Sequence, residues 1–261
     1  MFKTGKPRIA VCFSGQPRTW RKCVDSWQKN LFAGLEVDVF CHIWDFNTPP
    51  NSIMVGKVIV DIPVPREEID ELFAVLNPTK FKVESARLFP FMKEDQVVRI
   101  PSFMSQYYGI MSAAMLKREH EIENDFEYDI VIKMRYDAFF NSSVVEEFNS
   151  ADIDTHSMYC FHYSWDRTTK TGKVGDIFWY AGSETYDIIA DFYLNQAVID
   201  PKYFALPNGM PNPELACESV FYHYIKKNDI PFKINHEWDI KLYRESQLLS
   251  FTKDLDGFEV W

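Results

Sequence analysis

Several familiar signatures are missing from this chain, and each absence removes a class of function. No two of its five cysteines, at 12, 23, 41, 160 and 217, have the CxxC spacing of a zinc site. The odd count and irregular gaps read as reduced, mostly buried thiols in a reducing compartment. No stretch approaches the roughly 18 apolar residues of a membrane span. The amino-terminal MFKTGKPRIAV has a short apolar run and no small-residue cleavage site, so it reads as no signal peptide and a cytoplasmic location is expected. A basic surplus is also lacking. The formal net charge of -10 argues against a nonspecific grip on nucleic-acid phosphates. HExxH, GxSxG, Walker and GxGxxG patterns are all absent, and the last of these weighs against a Rossmann-type oxidoreductase.

What is present is an ordinary globular balance. The 261 residues are 46% hydrophobic and 25% charged, enough for one large domain or two small ones. Aromatic residues reach 16%. They serve a Phe-rich core, and flat faces also suit sugar rings and bases.

The patterning predicts an α/β fold. Residues 8–14, RIAVCFS, form a continuous apolar run closed by Gly15 and read as a buried parallel strand. In TWRKCVDSWQKNLFAG, residues Trp20, Cys23, Val24, Trp27 and Leu31 follow helical spacing, with Thr19 as N-cap and Gly34 as the C-terminal stop. Residues 36–45, EVDVFCHIWD, read as a second strand and complete a βαβ unit. A loop containing the short strand KVIVDI and a helix in PREEIDELFAVLNP follow. Ser102 is read as the cap of a long helix, and residues 128–140, YDIVIKMRYDAFF, as one strand. SMYCFHY and GDIFWYAG are further strands, Ser183 opens a helix, Asn212-Pro213-Glu214 starts another, and IPFKI is a last strand. No repeat or low-complexity tract interrupts this order.

Three places offer chemistry. The loop SGQPR, with Ser14, Gly15, Gln16 and Arg18, joins the first strand to the first helix. Ligands of open α/β sheets bind outside the carboxyl ends of strands, where a helix N-terminus and an arginine fork favour phosphate. A plain βα turn fits the same residues. The second place is KMRYDAFF, where period two sets Lys133, Arg135 and Asp137 on one face. A cation and a carboxylate there suit a diphosphate and a divalent metal, or alternatively a structural ion pair at a sheet margin. The third is a group of acids, Asp176, Glu214 and Glu218, any of which would serve as general base for a hydroxyl acceptor or as a surface or capping acid. Of the histidines, His236 in NHEWD is the one placed to complete a metal site, or else an ordinary hydrogen-bonded residue.

In their order, SGQPR, HIWD, SQYYGIMSAAMLK, YDIVIKMRYDAFF, GDIFWYAG and ESVFYHYIKKNDI resemble glycosyltransferase-like proteins of bacteria and viruses, of the GT-A class of nucleotide-sugar transferases. The resemblance spans roughly residues 8–234 and rests on the order of several segments. It implies a Rossmann-like GT-A sandwich with a mostly parallel sheet and a modified C-terminal half. The whole chain would be one domain, with residues 8–140 binding the nucleotide-sugar and 141–261 the acceptor. It also implies that Ser14, Gly15, Gln16 and Arg18 touch the nucleotide, with Gln106 and Tyr107 facing the donor. The D-x-D motif that holds manganese or magnesium in that class corresponds here to Arg135-Tyr136-Asp137, so Asp137 is the expected metal ligand and Arg135 departs from the pattern. Glu218 is the acceptor-side acid favoured over Asp176 and Glu214. The expected reaction is sugar transfer from a nucleoside diphosphate donor to a hydroxyl, with a carbohydrate acceptor. Glycosylation of a modified DNA base and a noncatalytic sugar- or nucleotide-binding module remain as alternatives.

Overall fold

The computed structural model describes residues 6–47, 62–85, 100–149, 153–161, 163–166, 171–195, 217–235 and 237–243. In chain order the elements begin with β1 (Ile9–Gly15), α1 (Trp20–Asn30), β2 (Val37–Trp44), β3 (Phe46–Asn47), β4 (Ile62–Pro63), α2 (Arg66–Leu76) and β5 (Lys80–Glu84). They continue with α3 (Ile100–Asn124), β6 (Ile130–Met134), β7 (Ala138–Phe140), α4 (Val145–Phe148), β8 (Met158–Cys160), β9 (Tyr163–Asp166) and β10 (Thr171–Val174). The last described are β11 (Phe178–Ala181), α5 (Ser183–Ala190), α6 (Phe192–Asn195), α7 (Cys217–Lys227), β12 (Phe232–Ile234) and β13 (Ile240–Leu242).

Seven strands make the central sheet in the order β12-β8-β11-β6-β1-β2-β5. All pairs are parallel except those of β11, which runs against both β6 and β8. The chain therefore steps from β1 outward through β2 to β5, then returns across α3 to place β6 on the other edge of β1. That reversal makes the β1/β6 boundary a topological switch point, and ligands of open α/β sheets bind outside the carboxyl ends of the strands at such a point.

Each face of the sheet carries its own core. Ala10 and Cys12 of β1 join α3, α5, α6 and α7 on one side, while Ile9, Val11 and Phe13 join α1 and α2 on the other. Alternation along a strand buried on both faces accounts for the unbroken apolar run of RIAVCFS. Cys12, Cys23, Cys41 and Cys160 are buried and unpaired in these cores, and burial pushes each thiol up to about 12. A buried ion network fastens α3 to α5. Lys117 donates to Glu121 at 2.8 Å, lies 2.9 Å from Asp187 Oδ1 and also donates to the Ser183 hydroxyl. No helix among the described residues is long and apolar enough to cross a membrane.

Several boundaries differ from the sequence reading. Thr19 does not cap α1, because its hydroxyl donates to the Tyr243 carbonyl at 2.5 Å. The helix ends at Asn30, and Gly34, at φ +74°, bends a later turn. Ser102 lies inside α3, which is already helical at Ile100. The single strand expected over 128–140 is split into β6 and β7 by a turn at Arg135-Tyr136-Asp137, in which Ala138 N donates to Arg135 O at 3.3 Å. The short edge strand β5, KFKVE, has too polar a pattern to read as a buried strand. The Asn212-Pro213-Glu214 helix start lies outside the described residues, as does most of KVIVDI.

Gly182 precedes α5 and presses on the backbone of Thr155. A Cβ added there would stand 2.6 Å from Thr155 O and 2.5 Å from Thr155 Cβ. Gly182→Ala should therefore cost about 1–3 kcal/mol through overpacking. Thermal denaturation should fall by roughly 2–12 °C at about 2–4 °C per kcal/mol. A melting temperature equal to that of the parent would show that this contact is not tight.

Candidate functional site

The site grows from the ends of three strands. β1 finishes in Gly15, whose φ of +119° only glycine adopts without strain. Arg18, three residues on, is also in the left-handed region at φ +42°. A non-glycine residue held there costs of order 1 kcal/mol or more, and such strain gathers at functional loops. The conformation is held by Asn47 at the end of β3, whose Oδ1 accepts from Arg18 N at 3.0 Å. Arg18 then extends its guanidinium across the crevice, donating from Nε to Gln16 Oε1 at 2.9 Å and from Nη1 to Asp137 Oδ2 at 3.4 Å.

The turn after β6 supplies the centre. Arg135 grips Asp137 in two places, Nε to Oδ1 at 2.8 Å and Nη2 to Oδ2 at 2.9 Å, and its Nη1 reaches Asp176 Oδ2 at 3.3 Å. Burial alone would disfavour the charge on Arg135, but Asp137 and Asp176 outweigh it and raise its pKa. Asp137 is 1% exposed. Its carboxylate thus sits beneath two arginines, a charge-assisted arrangement that offsets its desolvation.

Asp176 reaches the cluster through topology. β11 runs antiparallel to β6, with Phe178 opposite Met134, so the residues just before β11 fall at the carboxyl end of β6. There Asp176 accepts from Gln106 Nε2 of α3 at 2.5 Å, and Lys133 donates to its carbonyl. Burial pushes the Asp176 carboxyl upward, but Arg135, Lys133 and Gln106 together hold it below its usual value. A carboxylate so committed is a poor proton acceptor and a good anchor for Arg135.

Gln16, Arg18, Gln106, Arg135, Asp137 and Asp176, each singled out from sequence, therefore meet in one network. Ser14 and Gly15 end β1, and Ser14 is buried there. Tyr107 does not face the crevice. Adjacent helical positions point about 100° apart, so where Gln106 meets Asp176, Tyr107 packs against Phe192 at 4.5 Å and Phe221 at 5.3 Å. Glu218 lies on α7, which leads into β12 and so has its start toward the carboxyl ends of the strands; its side chain lies outside the described residues. Glu214 and His236 also lie outside them.

Two contributions escaped sequence reasoning. Asn47 belongs to a two-residue strand with no pattern to mark it. Beside Ser14, His42 of β2 joins Glu84 at 3.1 Å, and Tyr108 donates to the same carboxylate at 2.9 Å. The His42 contact, with Lys82 and Tyr108 adding to it, holds Glu84 well below the usual carboxylate range despite burial. Gly109 makes room for this: a Cβ there would stand 3.0 Å from His42 Nδ1. A separate cavity of about 630 Å3 opens at the amino ends of β1 and β2, lined in part by Arg8, Asp38, His120 and Phe126. Two of its charged groups are engaged locally, Arg8 over the Phe126 ring and Asp38 with the Tyr128 hydroxyl.

Among the described residues the main site offers a divalent ion no preassembled set of ligands. Asp137 and Asp176 both already bind Arg135, and no group of three histidine, cysteine or acidic side chains converges on a metal position among the described residues. Neither a protein-family profile nor a curated protein sequence matches this chain.

Removing one partner of a buried ion pair leaves the other charge uncompensated, at a cost of about 3–5 kcal/mol. Asp137→Ala should destabilise the fold by about that much in urea titration. Asp137→Asn, which keeps one acceptor oxygen, should cost less. A loss below about 1 kcal/mol for the alanine variant would show that the arginines do not depend on this carboxylate.

Proposed function

We propose that the chain transfers a sugar from a nucleoside diphosphate sugar to a hydroxyl acceptor, on a GT-A type of sandwich. The observation that carries this reading is the meeting of Arg18 and Arg135 over the β1/β6 switch point. Two arginine forks at the N-terminal end of α1 form a place for a diphosphate, the charge-bearing part of every such donor. Developing negative charge on the departing diphosphate is what this cluster would stabilise during transfer.

In this reading Arg18 and Arg135 bind and orient phosphate, Asp137 and Asp176 fix Arg135, and Gln106 fixes Asp176. Glu218, at the start of α7, takes the acceptor proton. A carbohydrate is the proposed acceptor, consistent with a net charge of -10 that repels polyanions. A second reading, a nucleotide-binding module without turnover, is favoured by the full engagement of Asp137 and Asp176 with Arg135.

Binding and turnover separate the two. A nucleoside diphosphate present at about 100 times its Kd adds roughly 2.7 kcal/mol to stability, a shift of about 5–10 °C at this size. We expect such a shift with at least one of UDP, GDP, ADP and CDP, and none with NAD. Arg18→Ala should weaken that binding by about 1.5–3 kcal/mol, with lysine restoring only part. Glu218→Gln should slow transfer by roughly 10²–10⁴ with donor affinity kept. Silence across all the diphosphates and their sugars, with folded protein, overturns the reading; binding without transfer or hydrolysis leaves the module.

A further inference from the structure

Resting on that reading, we infer that Arg135 is the built-in counter-ion of the donor site, so that a nucleoside diphosphate binds here without a divalent metal.

The argument begins with where a metal would have to sit. A divalent ion shared by the carboxylates would take its place between Asp137 and Asp176. That place holds the Arg135 guanidinium, 2.8 and 2.9 Å from the two oxygens of Asp137 and 3.3 Å from Asp176. Asp137 is almost wholly buried, so an ion reaching it must first break a bidentate pair and then desolvate itself. It would also stand among Arg18, Lys133 and Arg135, three like charges at short range.

Arg135 can meet phosphate without leaving its anchors. A guanidinium has five N–H donors, of which three point at Asp137 and Asp176 through Nε, Nη1 and Nη2. Each Nη keeps a second hydrogen, and the side chain is 17% exposed. The two carboxylates therefore hold the fork in position while part of it still faces the crevice. Arg18 is 27% exposed and adds a second fork from the opposite wall. Arg18, Lys133 and Arg135 thus place three cationic side chains around this turn.

The test is calorimetric titration of the full chain with UDP, GDP, ADP and CDP, each in EDTA and again in manganese. Wild-type protein should bind its preferred nucleotide with Kd values within about threefold in the two conditions. Arg135→Ala should weaken binding by about 10- to 100-fold in both, and Arg135→Lys should regain part of it. Arg135→Asp, which introduces a second acid two residues before Asp137, should bind nucleotide only when manganese is present. Binding by the wild type that appears only with manganese overturns the counter-ion role and leaves the nucleotide-sugar reading standing. No binding of any nucleotide in either condition overturns both. Circular dichroism establishes that each variant is folded; if the variants unfold, the wild-type comparison of EDTA with manganese decides alone.

Discussion

β1 has neighbours on both edges and a core on both faces. Paired with β2 and β6 and covered by α1 on one side and α3 on the other, it has no lateral surface left to offer. Its chemistry can appear only where the strand stops. At that point the chain must turn sharply, and Gly15 and Arg18 take left-handed conformations to do so. β6 stops beside it and β11 starts there, because β11 runs the other way. Arg18, Arg135 and Asp176 are brought together by where these three strands end and begin, and the short polar contacts follow from that placement.

The charge arrangement has its own logic. A lone buried arginine or aspartate would be expensive; Arg135 and Asp137 offset each other within one turn, and side chains from separate elements complete the set. Asp137 comes from the turn after β6, Asp176 from the approach to β11, Gln106 from α3 and Arg18 from the β1–α1 loop. Such a network is rigid because no member can move without stranding another. Rigidity of this kind is what a site needs when it must hold donors ready before charge develops.

Much of this was legible from sequence, for physical reasons. Apolar runs marked β1, β2 and β6, and the charges that interrupt YDIVIKMRYDAFF stood out because a two-faced buried strand excludes them. Helical spacing marked α1 and α2, although Thr19 was misread as a cap because its partner, Tyr243, is 224 residues away. The assignment of both Gln106 and Tyr107 to the site overlooked that neighbouring helical residues diverge; one reached Asp176 and the other the Phe192 cluster. That Asp176 would lie beside Arg135 depended on the antiparallel sense of β11, which no local pattern encodes. Asn47 and the His42–Glu84 pair were invisible for the same reason: each works through a contact between segments remote in sequence.

Tyr243 makes a remote contact of a different kind, through main-chain atoms alone. Its carbonyl receives the Thr19 hydroxyl at the entrance to α1, and its N–H donates to the carbonyl of Asp137 in the central turn at 2.8 Å. Both contacts are made by main chain at the end of β13, which pairs with β7 directly after that turn. The β1–α1 loop and the arginine turn are thus tied twice, directly through Arg18 Nη1 and Asp137 Oδ2 and indirectly through the main chain of residue 243. A side-chain substitution at position 243 therefore leaves the indirect tie in place, because only its main chain takes part.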